Sequence, residues 1–157
     1  MFLIEVEKKE DITDAEGKEL TDSISEMGFK VKDIKVSQLY FIEGKINKKV
    51  ISKISKELLT DPVIERFKIY TSKYPSIKNF PFQWEVIKTL HKGVTDNTGE
   101  TTLKAIKAMG IKNIYSITTG KRFMFDSNLT EKEIKNISLK ILSNPIIESV
   151  SIRRCKK

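Results

Sequence analysis

The side chains that most often carry out enzyme chemistry are scarce in this chain of 157 residues. It has one histidine, His91, and one cysteine, Cys155. His91 ends a predicted strand beside Lys92, which indicates a solvated edge position rather than an acid–base catalyst. The basic tail around Cys155 favours a lowered thiol pKa, but we interpret this residue as an incidental terminal thiol. Walker loops, GxGxxG motifs and paired His/Cys spacings are absent from the sequence, so we expect no catalytic residue, no metal site and no cofactor.

One short segment places two cations and a glycine inside a predicted β stretch. The residues are Gly120, Lys121 and Arg122. A glycine within a strand indicates a bulge or the close approach of another backbone. The segment is therefore either an ordinary solvent-facing strand or a contact for a partner or an anionic group, and both interpretations are kept.

A Thr-Asp-x-x-Gly motif occurs twice. Its residues are Thr13, Asp14, Gly17, Thr95, Asp96 and Gly99. The motif resembles a phosphate-binding helix N-terminus, but its aspartate would repel phosphate. We therefore prefer a helix-entry turn, with Thr13 as the N-cap and Glu16 completing a capping box.

The two motifs belong to an internal repeat. They lie 82 positions apart, and a second block of identities relates residues 50–69 to residues 133–152 at an offset of 83. Residues 71–81 contain two X-Pro steps, which disfavour helix. The sequence therefore predicts a first repeat at 1–70, a linker at 71–81 and a second repeat at 82–157.

Each repeat alternates strand-like and helix-like patterns. The order β-α-β-α-β has a middle β region long enough for one bent strand or for a hairpin, and the hairpin gives a ferredoxin-like unit. Because about 70 residues make a marginal domain, we expect an α+β pair of such units packed sheet to sheet as a pseudo-dimer. Candidates for the buried face are Phe41, Ile42, Phe123 and Phe125.

Composition limits the class of protein further. No apolar run is long enough to span a membrane, and the N-terminus lacks the pattern of a secretory signal peptide. A single cysteine fits a reducing, cytoplasmic compartment. The net charge of +8 suggests nucleic acid, but residues 1–70 hold 13 basic and 14 acidic side chains whereas residues 80–157 hold 14 and 7.

The ordered set of motifs resembles the PurS family, the small subunit of phosphoribosylformylglycinamidine synthase. In the second repeat the similar stretches are residues 93–99 (GVTDNTG), 109–110, 120–121 and 141–148 (ILSNPIIE). The first repeat matches more loosely. It has Asp11 where the family has glycine, Leu39-Tyr40 in place of Gly-Lys, and Asp61 in place of asparagine.

This resemblance implies a non-catalytic scaffold that pairs two ferredoxin-like subunits through their sheets. Such a scaffold bridges the synthetase and glutaminase subunits and assists ammonia transfer between them. The complex uses ATP and glutamine to convert formylglycinamide ribonucleotide into formylglycinamidine ribonucleotide. The tandem copy then resembles a fused PurS pair, either free-standing or the N-terminal domain of a longer synthase. We expect no nucleic-acid or membrane partner, and a further homo-oligomer is open.

Two alternatives belong to other classes. A ferredoxin-like nucleic-acid-binding module needs aromatic residues beside basic ones on the sheet, and residues 121–125 (KRFMF) come nearest to that pattern. A small-molecule sensor of ACT type also pairs such units, and there Asp14 and Asp96 would meet the ammonium group of an amino acid.

Overall fold

The computed structural model describes residues 1–72, 74–75 and 81–155. Each repeat has three strands and two helices in the order β-α-β-α-β. The first repeat contains β1 (Phe2–Lys8), α1 (Ala15–Glu26), β2 (Val31–Gly44), α2 (Lys48–Ile54) and β3 (Glu65–Tyr70). The second repeat contains β4 (Trp84–Leu90), α3 (Asn97–Ala108), β5 (Ile114–Ser127), α4 (Glu131–Ile137) and β6 (Glu148–Arg154). The predicted α+β class is confirmed.

The middle β region of each repeat is one continuous strand of 14 residues. Of the two interpretations that the sequence left open, the structure therefore shows the single strand and not the hairpin. Alternation of apolar and polar residues is the same in a long strand and in two short ones, so the pattern could not separate them. β2 and β5 are twice as long as β1 and β4, which have 7 residues each.

The chain forms two compact units, and each unit contains parts of both repeats. Unit 1 comprises residues 1–12, 38–75 and 95–120, and unit 2 comprises residues 13–37, 76–94 and 121–157. β2 and β5 are divided between the units near their midpoints. As a result α1 belongs to unit 2 although its own β1 belongs to unit 1, and α3 belongs to unit 1 although its own β4 belongs to unit 2.

The described strands are hydrogen-bonded in the order β3-β1-β2-β5-β4-β6. In unit 1, β1 pairs antiparallel with β3, with Leu3 opposite Tyr70. In unit 2, β4 pairs antiparallel with β6, with Glu85 opposite Arg153. These two registers are equivalent, because the repeats are offset by 82 to 83 positions.

Each unit has its own apolar core made from both repeats. In unit 1 the core joins Ile4, Val6, Ile42, Ile51 and Ile54 of the first repeat to Ile106, Ile114 and Ile117 of the second. In unit 2 it joins Ile24, Ile34 and Val36 of the first repeat to Trp84, Val86, Phe123, Phe125, Leu129, Ile134, Ile137 and Leu142 of the second. Phe41, Ile42, Phe123 and Phe125 are all buried as predicted, but Ile42, Phe123 and Phe125 lie in cores that contain helix residues, so their assignment to a sheet-to-sheet face is wrong. Phe123 and Phe125 share their core with Ile24 of helix α1.

An aspartate attaches a helix to a long strand in each unit. Asp14 caps α1 by accepting a hydrogen bond from the Gly17 amide at 3.0 Å, and its other carboxylate oxygen accepts one from the Val36 amide at 2.8 Å. Asp96 caps α3 in the same way through the Gly99 amide at 2.8 Å, and it binds the Thr119 amide at 2.6 Å. A short carboxylate side chain satisfies orphan amides at a helix N-terminus, and here it also fixes the helix on its strand.

The N-cap prediction for Thr13 is wrong, because Asp14 is the capping residue. Either residue type can cap a helix, but the longer reach of a carboxylate allows two amides to be bound at once. Gly28 and Gly110 follow the ends of α1 and α3 with φ values of 92° and 85°, the left-handed conformation that glycine adopts without a Cβ penalty.

Helices α2 and α4 each continue into a π-helical turn, at Ser55–Leu59 and Ser138–Leu142. Both turns begin at a buried serine whose hydroxyl donates to the carbonyl four residues earlier. A serine bonded in this way bends a helix, and the bend occurs at the same place in both repeats. Within the described part of the chain, no helix is both long enough and apolar enough to cross a bilayer.

The shared cores predict that neither repeat folds as a monomer. We expect fragments 1–72 and 81–157 to show an unfolding midpoint that depends on protein concentration, alone or mixed, because each core then needs two chains. The intact chain should show no such dependence. Urea unfolding followed by circular dichroism at several concentrations tests this, and a fragment that is monomeric by ultracentrifugation yet unfolds cooperatively would contradict it.

The helix–strand attachment predicts strong sensitivity at Gly17. A Cβ there would lie 2.0 Å from the Ile34 carbonyl oxygen, so Gly17→Ala should destabilise the chain by about 1–3 kcal/mol through overpacking. Gly99→Ala should behave alike, since its Cβ would lie 2.3 Å from the Ile117 oxygen. Lys18→Ala, at an exposed position of the same helix, is the control. Equal urea midpoints for the Gly17 and Lys18 variants would show that the close approach does not matter.

Candidate functional site

The side chains considered for catalysis are not assembled into a reactive group. His91 is exposed, and its Nε2 lies 2.8 Å from the carbonyl oxygen of Pro145. Its backbone amide donates to the Ile147 carbonyl, so the residue closes the turn that precedes β6. Among the residues the structure describes, no group of three His, Cys, Asp or Glu side chains is arranged to hold a metal ion.

The turn that precedes the last strand has the same hydrogen bonds in both repeats. In unit 1 the Asp61 side chain accepts from the Val63 amide and the Glu65 carboxylate accepts from the Asp61 amide. Asn144, Ile146 and Glu148 repeat these bonds in unit 2. The duplicated [Asp/Asn]-Pro-x-Ile-Glu stretch is therefore explained by a turn that leads from the π-helical segment into the last strand.

The three residues predicted to contact a partner lie in the middle of β5. The Gly120 carbonyl accepts a hydrogen bond from the Gln38 side chain at 2.9 Å. The Lys121 ammonium binds Glu16, in the first turn of α1, at 2.5 Å. Arg122 is buried, with 4% of its surface exposed. Lys121 and Arg122 thus already have carboxylate partners in this chain, and the assignment of all three residues to a partner contact stays a prediction.

Arg122 belongs to a cluster that we call the buried charge cluster and define as Glu85, Arg122 and Arg153, of which Arg153 is partly exposed. The Glu85 carboxylate is fully buried. One of its oxygens accepts from Arg122 Nε at 2.7 Å, and the other accepts from Arg153 Nε. The cluster joins β4, β5 and β6 through side chains, in addition to the backbone bonds of the sheet.

The same three sheet positions hold uncharged side chains in unit 1. Leu3, Leu39 and Tyr70 are the counterparts of Glu85, Arg122 and Arg153. Leu3 and Leu39 are completely buried. Nothing in the strand pattern marks the charged set as interior, because charged residues in a strand usually face solvent. The one indication of burial in the sequence is the alignment of the two repeats, in which Glu85 corresponds to a leucine.

Cys155 lies next to this cluster and is itself buried. Burial raises the pKa of its thiol and the charge of Glu85 raises it further, while Arg122 and Arg153 act in the opposite direction. The expectation of a lowered thiol pKa is therefore wrong, because desolvation of the thiolate outweighs the neighbouring cations. A thiol of this kind is a poor nucleophile at neutral pH.

The two alternative functions lose the residues that suggested them. Arg122, Phe123 and Phe125 are buried, so residues 121–125 do not present the exposed aromatic platform on which RNA bases stack. Asp14 and Asp96 each use both carboxylate oxygens on protein amides. They are therefore already engaged where an amino-acid sensor would need them for a ligand.

Unit 1 has an open groove at the start of α2. Its volume is about 630 Å³. The lining residues are Gly44, Lys45, Ile46, Asn47, Val50, Gly110, Ile111, Lys112 and Asn113. The groove therefore combines three aliphatic side chains with two lysines and two amides, a composition that suits an anionic segment with apolar side chains.

The buried charge cluster predicts that Glu85 is important for stability. Glu85→Leu removes the carboxylate to which both guanidinium groups bind, and breaking a buried ion pair from one side costs about 3–5 kcal/mol. The triple change Glu85→Leu, Arg122→Leu, Arg153→Tyr installs the unit 1 side chains and should recover most of that loss. Glu16→Gln, which removes the exposed partner of Lys121, should cost no more than about 1 kcal/mol. The urea unfolding midpoints of the three variants measure these losses of stability. A triple variant no more stable than Glu85→Leu would contradict the claim that apolar residues can replace the charge cluster.

Comparison with known proteins agrees with the internal repeat. The family described as "PurS: Phosphoribosylformylglycinamidine (FGAM) synthase" matches residues 2–73 and again residues 83–156. A curated relative from Archaeoglobus fulgidus, the phosphoribosylformylglycinamidine synthase subunit PurS, is 37% identical over 73 residues; the match covers 43% of this chain and 91% of the relative.

A solved structure is also similar. It is the Methanocaldococcus jannaschii PurS, described as one of the subunits of formylglycinamide ribonucleotide amidotransferase in the purine biosynthetic pathway, with 29% identity and a TM-score of 0.42. The match covers 48% of this chain and 98% of that one. The curated relative from Archaeoglobus fulgidus corresponds in length to about one repeat. Because the family matches nearly the whole chain in two consecutive segments, this protein belongs to the PurS family as a tandem pair.

Proposed function

We propose that this protein is a non-catalytic component of phosphoribosylformylglycinamidine synthase that bridges the synthetase and the glutaminase and assists the transfer of ammonia between them. The observation that carries the proposal is the family match over both halves of the chain. The proposed partners are a synthetase of the large PurL type and a glutaminase of the PurQ type, as separate subunits or as domains of one synthase. The proposed location is the cytoplasm.

The chemistry of the chain supports a scaffold. His91 is bonded to a backbone carbonyl, and burial raises the pKa of the Cys155 thiol. Asp14 and Asp96 hold helices on strands, and the Glu85 carboxylate binds two arginines. The side chains that a reaction would need are thus committed to structure among the described residues, which leaves surfaces as the means of action.

The tandem arrangement supports a permanent pair. A subunit of one repeat has to find a second copy before a shared core can form. Here both core halves are on one chain, so pairing does not depend on concentration. The two repeats are also free to differ, and one surface can specialise for the synthetase while the other specialises for the glutaminase.

Reconstitution tests this function. The synthetase and glutaminase of the same organism are mixed with ATP, glutamine and formylglycinamide ribonucleotide, with and without this protein, and formylglycinamidine ribonucleotide is measured. We expect glutamine-dependent product only when the protein is present. With ammonium chloride as the nitrogen source, the synthetase should depend on the protein less, because no ammonia has to be transferred. Equal glutamine-dependent rates with and without the protein would refute the proposal.

A further inference from the structure

The helices of the two units differ in charge. In unit 1, α2 with its π-helical turn and α3 carry six lysines and two glutamates. In unit 2, α1 and α4 with its π-helical turn carry four lysines and six acidic residues. This difference belongs to the helices and not to the units as wholes, and it arises because α1 and α3 each join the unit of the other repeat.

Eight lysines of unit 1 on or beside α2 and α3 form a set that we call the lysine face. Its members are Lys45, Lys48, Lys49, Lys53, Lys56, Lys104, Lys107 and Lys112, and all eight are exposed. No ion pair is found for any of these eight within the described residues. Lysines that have no carboxylate partner keep their full charge toward solvent and attract anions from a distance.

The groove of unit 1 lies within the lysine face. Lys45 and Lys112 line it together with Ile46, Val50 and Ile111. An inorganic anion or a nucleic-acid backbone would use the lysines but not the aliphatic side chains. A protein segment that alternates acidic and aliphatic residues would use both.

Counterpart positions show that the lysine face is not required by the fold. Where unit 1 has Lys48, Lys53, Lys104 and Lys107, the same helix positions of unit 2 hold Glu131, Asn136, Asp22 and Ser25. Both sets of helices form and cover a core. These four lysines are therefore not needed for a helix to form and cover a core at these positions, and they are available for binding.

We propose that the lysine face and its groove bind an acidic, aliphatic-rich segment of one protein partner, and that the helices of unit 2 do not bind it. This inference rests on the proposed function, because it states which unit receives a partner and the chemistry of the surface that docks there. Charge complementarity supplies the attraction and favours the helical surface of unit 1 over that of unit 2, and the aliphatic groove residues supply desolvated contacts. Nucleic acid fits less well, because α2 and α3 contain no aromatic residue on which a base could stack.

The test compares two full-length variants with equal changes of charge. The first replaces four lysines of unit 1 with their unit 2 counterparts: Lys48→Glu, Lys53→Asn, Lys104→Asp and Lys107→Ser. The control alters four exposed lysines of unit 2: Lys18→Glu, Lys132→Asn, Lys135→Ser and Lys140→Glu. Both lower the net charge by about six, so a general effect of charge acts on both equally. Circular dichroism and thermal unfolding establish that both are folded.

The binding probes are a fluorescein-labelled peptide of alternating glutamate and leucine, a lysine–leucine peptide, and a single-stranded RNA. Binding is measured by fluorescence anisotropy at about 0.15 M salt, because salt at this concentration screens the attraction between charges except at short range. We expect the wild-type chain to prefer the acidic peptide. The unit 1 variant should bind it about tenfold more weakly or worse, and the control variant should stay within about threefold of wild type. Equal weakening in both variants, or tighter binding of RNA than of the acidic peptide, would overturn the proposal.

Reconstituted synthase separates this inference from the function on which it rests. The unit 1 variant should lose affinity for one of the two partner enzymes, measured with each enzyme singly, while the control variant keeps both. If wild-type protein restores glutamine-dependent activity but the two variants bind both enzymes alike, the lysine face is refuted and the scaffold function stands. If wild-type protein restores no activity although the lysine face selects the acidic peptide, the scaffold function fails and the binding surface stands.

Discussion

Two strands of 14 residues determine how this protein is built. At about 3.3 Å per residue each of them extends for roughly 45 Å, which is too long for one small α+β unit. β2 and β5 therefore each serve two units, and the helix before each strand belongs to a different unit from the helix after it. The exchange of α1 and α3, the mixed cores and the charge of each helical surface all follow from this one length.

The attachment of a helix to each long strand requires an aspartate and a glycine together. The aspartate binds amides of the helix and of the strand, and the glycine three residues later lets the two backbones approach. Glycine inside a helix normally costs about 1 kcal/mol relative to alanine. That cost is offset here because any larger residue would separate the helix from its strand and open the core beneath it.

The buried charge cluster shows how differently equivalent positions can be filled. Leu3 and Leu39 are buried and apolar, whereas the buried Glu85 and Arg122 at the equivalent positions bind each other. A buried ion pair contributes little net stability compared with well-packed apolar residues. Its directional bonds do fix β4, β5 and β6 relative to one another, which leucine contacts would do less specifically.

Much of the fold was readable from the sequence, because helix stripes and repeated identities are local signals. The duplication and the order β-α-β-α-β of each repeat followed from them. The continuity of β2 and β5 could not be predicted, because the alternation of apolar and polar residues is the same whether or not a turn interrupts the strand. The exchange of α1 was also hidden, because an apolar stripe through Ile24 states that a face is buried but not against which partner. Of the predicted site, Arg122 is buried against Glu85, and the lysine face could not be recognised until the helices were assigned to their units.

The mixed cores have a consequence for how such a chain can change over evolutionary time. Ile24 shares its core with Phe125 and Ile134 of the other repeat, so a substitution at Ile24 alters the packing of residues in that repeat. Compensating changes should therefore arise in the other copy and not only in the same one. Replacing one whole repeat with that of a distant relative would disturb both cores at once. The core residues of the two copies are therefore constrained to change together, whereas the solvent-facing residues of their helices are free to diverge.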